Sequence, residues 1–170
     1  MQIKITATDN FKPPRGNLEK AVKSAIRRTF AGLKRDIGQK IKQRYTLASS
    51  NVTRTLQTRI SGLSGTLTST GAKIPVEKFR VKPRRRLKRQ PAGGVFAENV
   101  RGQGGFIRRA FLQKSGGVYE RTGRARFPIK RIKGPSAPSM LSSIPVSSFI
   151  EQKIEERLNK NLMHEIKFFV

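Results

Sequence analysis

A net charge of +27 on 170 residues, from 37 Lys and Arg against 10 Asp and Glu, is what most restricts this chain. Self-repulsion of that size opposes compaction, so the working state has to include anions that offset it. Nucleic-acid phosphates come first as their source, an acidic protein partner second and an anionic membrane surface a distant third. The charge is also unevenly placed. Between Lys78 and Lys133 eighteen Lys and Arg face only Glu98 and Glu120. In the last twenty residues Glu151, Glu155, Glu156 and Glu165 face four basic residues, so that end is close to neutral.

The length fits a single domain over 1–170, but only 35% of the residues are hydrophobic, which predicts a modest core with long arms. The absence of Cys excludes disulfide scaffolds, thiol catalysis and Cys-based zinc sites. A single His, His164, excludes a multi-His metal site and reads as a packed or dipole-compatible side chain near a helix end. No apolar run approaches the roughly 18 to 20 residues of a membrane helix, and the alternating start from Met1 is unlike a signal peptide. The expectation is a soluble intracellular product with no membrane partner. Gly102-Gln-Gly-Gly-Phe-Ile107 has neither the glycine spacing of a dinucleotide loop nor the Lys-Ser/Thr of a P-loop. Glu155 and Glu156, adjacent on a helix, point in different directions. No catalysis, cofactor or metal is expected.

Residues 2–8 alternate as a short strand, and Asp9–Gly16, with Pro13-Pro14, is a connection. Asn17 looks like an N-cap. Beyond it Leu18, Val22, Ile26, Phe30, Leu33, Ile37 and Ile41, three and four apart, predict an amphipathic helix over 18–47, weakened at Gly32 and Gly38. A short helix at 51–56 follows. Then comes a β-leaning stretch, Thr58–Val81, with Leu63, Leu67, Ile74, Val76 and Phe79 as core candidates. Glycine clusters punctuate further extended runs at Val95–Val100, Phe106–Gln113 and Val118–Arg121, read as hairpins that project. Phe127–Pro135 reads as a last strand closed by a turn at Gly134-Pro135. A loop over Ser136–Pro145 follows, with a helical piece near Leu141. Ser148 and Glu151 form a capping box for a second helix over 148–167, with Ile150, Ile154, Leu158, Leu162 and Ile166 four apart. Two helices flanking a set of β segments is an α+β pattern: a long N-terminal amphipathic helix and a C-terminal helix on a central antiparallel or mixed sheet.

Lys82-Pro-Arg-Arg-Arg-Leu-Lys-Arg89 is basic everywhere except Pro83 and Leu87. Lys82, Arg84, Arg85, Arg86, Lys88 and Arg89 have three open readings: phosphate contact by charge alone, docking on an acidic protein, or a solvated loop. With no aromatic among them, base stacking is not indicated. Arg121, Arg124 and Arg126 follow along an extended segment, as a second candidate row for phosphate or acidic surface, or as exposed decoration.

The stretch Val118-Tyr-Glu-Arg-Thr-Gly-Arg-Ala-Arg-Phe-Pro-Ile-Lys-Arg-Ile-Lys-Gly-Pro-Ser-Ala-Pro-Ser-Met-Leu141 resembles the minor tail protein Z family of tailed bacteriophages and prophages. Tyr119, Arg121, Arg126, Pro128, Ile129, Gly134, Pro135, Ser136 and Pro138 carry the resemblance. The order of parts fits over most of the chain. The resemblance implies a structural virion protein that completes the head-proximal end of the tail. It also implies six copies in a ring, with tail terminator, tail tube and head-tail connector proteins as neighbours and non-specific contact with genome DNA. The basic loop 82–94 and the glycine-punctuated hairpin 95–117 would be arms, ordered in the assembly. Localisation would be the neck of the virion, with host cytoplasm as the site of assembly. The rival is a stand-alone basic nucleic-acid binder of ribosomal-protein or nucleoid type.

Overall fold

The computed structural model describes residues 2–6, 17–89 and 93–169; the predicted connection Asp9–Gly16, the strand end at 7–8 and Pro91 lie outside the described residues. In chain order come β1 (Gln2–Thr6), α1 (Asn17–Arg44), α2 (Ser50–Thr53), β2 (Leu56–Ser61) and β3 (Ser64–Ser69). Next are β4 (Lys73–Pro75), β5 (Arg80–Lys82), β6 (Val95–Val100) and β7 (Gln103–Ile107). Then follow β8 (Ala110–Leu112), β9 (Val118–Arg121), β10 (Ile129–Arg131), β11 (Lys133–Ser136), α3 (Ala137–Leu141) and α4 (Ile144–Phe169). The fold is α+β, as predicted, but the strands make four small antiparallel sheets in place of one central sheet: β1-β3-β2, β5-β6-β7, β10-β9-β8 and β11-β4.

The predicted stripe of α1 is its buried face: Ile26, Phe30, Leu33, Ile37 and Ile41 are each at most 2% exposed. Spacings of three and four bring them to one side of the helix. The helix stops three residues before the predicted end. Tyr45 leaves it to bridge Val100, and the Arg101 backbone N–H donates to the Arg44 carbonyl at 2.8 Å. That bond satisfies a carbonyl the helix end leaves orphaned.

The second helix also departs from prediction. It begins at Ile144, so Ser148 lies inside it and is not its cap. Val146 and Ser147 donate backbone N–H groups to the Ser143 carbonyl at 2.8 and 2.9 Å. Pro145, a loop residue by sequence, occupies the first turn, where its missing N–H would have had no intrahelical partner.

The two helices lie against each other. Arg157 donates from Nε to Asp36 Oδ2 at 2.5 Å and from Nη2 to Oδ1 at 2.8 Å, and Asn161 donates to Thr29 Oγ1 at 3.0 Å. A Cβ on Gly32 would run into the Arg157 guanidinium, and one on Gly38 would stand 3.2 Å from Thr53 Cγ2. The two glycines are therefore close-approach positions. On another side α1 meets β3, whose buried residues are Gly65, Leu67 and Ser69. Around these elements one core gathers Val52, Phe79, Met140 and Ile150.

A second, smaller core holds Val76, Val81, Val95, Ala110, Leu112 and Val118. Of the predicted core residues, Leu67, Val76 and Phe79 are buried, whereas Ile74 is half-buried and Leu63, in the β2–β3 turn, is too. Two predicted strands are each divided. Phe106–Gln113 breaks into β7 and β8 at Arg108-Arg109, where Arg109 takes φ 61°. Phe127–Pro135 breaks at Ile132, which donates to the Val118 carbonyl at 2.9 Å and accepts from the Val76 N–H at 3.1 Å. Ile132 thereby hands the chain from one sheet to another.

A Cβ on Gly65 would overlap the Phe30 ring edge and stand 2.6 Å from Ile26 Cγ2. Gly65→Val, which suits a strand but not this close approach, is expected to destabilise the fold by about 1–3 kcal/mol. Urea unfolding would show a lower midpoint at an unchanged slope.

Candidate functional site

The basic run leaves the fold at Lys82, the last residue of β5, and that exit is firmly held. Glu98 on β6 faces Arg80 in register, accepts from its Nη1 at 3.1 Å and accepts from the Gly102 N–H at 2.7 Å. Thr46, just past α1, donates its hydroxyl to the Glu98 carbonyl and accepts from the Arg80 N–H at 3.0 Å. Glu98 is 7% exposed, so its charge is held by donors and not by water. The Gly102 hydrogen bond, ahead of Arg80, holds its carboxyl below the ordinary carboxylate range, against the effect of burial.

From this exit Arg84, Arg85, Arg86, Lys88 and Arg89 run as exposed residues. The loop lies along the β8–β9 turn: Arg84–Lys88 line a cleft with Gln113, Lys114 and Gly116. A neighbouring groove of about 560 Å³ shares Arg86, Gln113 and Lys114 with that cleft and adds Phe111, Arg121, Arg126, Phe127 and Ile129. The fold thus joins the two predicted basic segments into one face. None of the residues lining the two hollows is acidic. Arg121 stands over the Phe111 ring at 5.6 Å and Arg126 over Phe127 at 5.8 Å. These ring faces favour a cation. Arg124, predicted to share a row with the other two, sits in the exposed connection between β9 and β10 and does not line the groove.

The remaining motif residues build the walls and the way out. Tyr119 packs against Phe111 with centroids 6.4 Å apart. The Pro128 carbonyl accepts from the Thr122 hydroxyl at 3.0 Å, closing the β9–β10 connection. Gly134 and Pro135 do not turn the chain, as predicted, but lie within β11, whose register against β4 is irregular. A two-stranded sheet is all edge, which tolerates the proline. Gly134 is there because a Cβ would stand 2.8 Å from the Phe79 ring. The turn comes at Ser136, which caps α3 by accepting from the Ser139 N–H at 3.3 Å, with Pro138 in the first turn.

Lys114, Phe111 and Phe127 were not candidates by sequence. Nothing local marks them, because the groove is made where distant segments meet. His164 lies on α4, its Nδ1 3.2 Å from the Arg28 guanidinium. Among the described residues no cluster of His, Asp or Glu is arranged to hold a metal, and no helix is long and apolar enough to cross a membrane.

No curated protein and no solved structure matches the chain. One family model does, over residues 15–170, and its description is Prophage minor tail protein Z (GPZ).

Glu98 holds the root of the basic loop, so its titration is expected to appear in stability. Its folded value lies below its unfolded one, so its contribution is complete above the ordinary carboxylate range. That contribution is lost as pH falls through the folded value. In acid titration of stability, Glu98→Gln should remove this part of the acid loss while lowering stability at neutral pH.

Proposed function

The chain belongs to the Prophage minor tail protein Z family, a structural component of the phage tail and hence of the virion, and from that premise we propose where it sits and what it touches. We infer that it completes the head-proximal end of the tail and links tail terminator and tail tube to the head-tail connector. It acts there as one domain over 1–170, after assembly in the host cytoplasm, with loop 82–94 as an arm. The segment 95–117, expected from sequence to be a second arm, gives Val95, Ala110 and Leu112 to the second core and belongs to the body. Its role is structural, without catalysis.

Six copies form a ring. At +27 each they carry +162, which no ring sustains without counter-charge. Genome DNA at the channel supplies it, read by charge alone. One observation carries this reading: Lys82, Arg84, Arg85, Arg86, Lys88 and Arg89 leave a firmly held strand pair as a run of exposed cations, none of them in an ion pair with a carboxylate of the described residues.

Mass analysis of purified tails is expected to find the protein retained, and its absence from finished particles would overturn the assignment. DNA contact is tested by replacing Arg84, Arg85, Lys88 and Arg89 with Ala. The slope of log affinity against log salt should fall by about 0.9 for each phosphate that is no longer neutralised. A lone subunit that binds DNA with a slope of roughly six to ten phosphates, and is missing from tails, is the result the stand-alone nucleic-acid binder predicts.

A further inference from the structure

Most carboxylates of the described residues are used within the chain. Glu19 pairs with Lys23, Asp36 with Arg157, Glu77 with Arg131, Glu98 with Arg80, Glu156 with Lys153 and Glu165 with Arg28. Glu120 faces Lys130 in the β9–β10 register. Glu151 and Glu155 are different. Both are exposed, neither is in an ion pair among the described residues, and they stand four apart on α4. That spacing places them one turn apart on one side of the helix. Along the same helix Ile144 is 80% exposed and Met163 67%.

The basic groove is this surface's opposite in charge and its match in apolar character. Arg86, Lys114, Arg121 and Arg126 border it. Phe127 on its wall is 63% exposed, and Leu87 in the adjoining cleft 46%. Of the five exposed large hydrophobic residues of the described chain, these two surfaces hold all but Phe106. The surfaces do not meet within one copy. Helix α4 packs on α1, and no residue of α4 lines either hollow.

We propose that the outer face of α4 from one copy docks on the basic groove of the next, with Glu151 and Glu155 entering among Arg86, Lys114, Arg121 and Arg126. The occupant is a second copy because this chain itself carries the complementary charge and apolar surface. Each copy gives one face and receives the other. An interface of this heterologous kind closes into a ring when its rotation permits. The inference rests on the multi-copy reading above and deepens it by naming the surfaces that meet.

Charge reversal tests it by sedimentation of the full chain. Arg121→Glu with Arg126→Glu sets acid against acid, and Glu151→Arg with Glu155→Arg sets base against base. All four positions are exposed, so both variants should keep the wild-type circular dichroism and a cooperative urea transition. A small midpoint drop is expected where Arg121 and Arg126 are replaced, from the lost ring contacts at Phe111 and Phe127. The wild type is expected to associate, and each variant alone to associate at least about tenfold more weakly. An equimolar mixture of the two should recover wild-type association, because every junction then joins opposite charges. Association unchanged in either variant, no recovery on mixing, or a wild type that stays monomeric up to its solubility limit overturns the proposal. If the wild type is nevertheless retained in purified tails, the docking proposal alone has failed. If it is absent from them, the tail assignment has failed as well.

Discussion

The clasp of Arg157 on Asp36 decides whether the two long helices share one core. Asp36 has a side chain only 12% exposed, inside a helix, and Arg157 is its ion-pair partner. A buried carboxylate is tolerable when it is paired and hydrogen-bonded, and a guanidinium supplies both through two parallel bonds. Arg157 reaches it only because Gly32 leaves its path open. The same bond, more than any other influence, holds the Arg157 proton more firmly than usual. Once α4 is seated, Ile150 joins the apolar cluster of Ile26, Phe30 and Leu33, and β3 closes over Ile26 and Phe30 at Gly65. Remove the clasp and α1 has a carboxylate facing an apolar partner.

The second core is too small to stand by itself, and its attachment to the first explains how a loop of cations can be presented in a fixed place. The end of α1 is the junction. Arg101 closes the helix through its own N–H and through Nε, which donates to the Lys42 carbonyl at 3.0 Å. Thr46, one residue past the bridge at Tyr45, ties both Arg80 and Glu98. The strands that carry the basic loop are thereby hung from the end of the best-packed helix. Their position follows from α1, although no residue of the loop belongs to the first core.

What was legible in the sequence follows the range of the forces involved. The buried face of α1 could be read because its period repeats over 28 residues and nothing distant is needed to set it. Its end could not be read, because the group that stops it is Arg101, supplied from another sheet. Pro145 was ambiguous for a different reason: a proline suits a loop and a first helical turn equally, and only Ser143 as acceptor decides. The breaks at Arg109 and Ile132 carry no glycine or proline, the usual marks of a strand end. At the candidate face the basic run was plain, and so was the motif from Tyr119 to Pro138. Their meeting across Lys114 was not, since a lone lysine in a turn carries no sign of its neighbours.

Where the carboxylates stand also explains why so cationic a chain holds a single fold. Of the ten acidic residues, Asp36, Glu77, Glu98 and Glu165 have side chains at most 17% exposed and bind a cation from a different element. They sit where helices and strands join, each carboxylate sheltered while its basic partner keeps part of its surface in water. The surplus cations project into water, where screening over roughly 8 Å at physiological salt reduces their mutual repulsion. Folding and neutralisation are therefore handled by different groups. The acids settle the joints of one copy, the exposed bases are left for whatever surrounds it, and the positive charge belongs to the assembly more than to the fold.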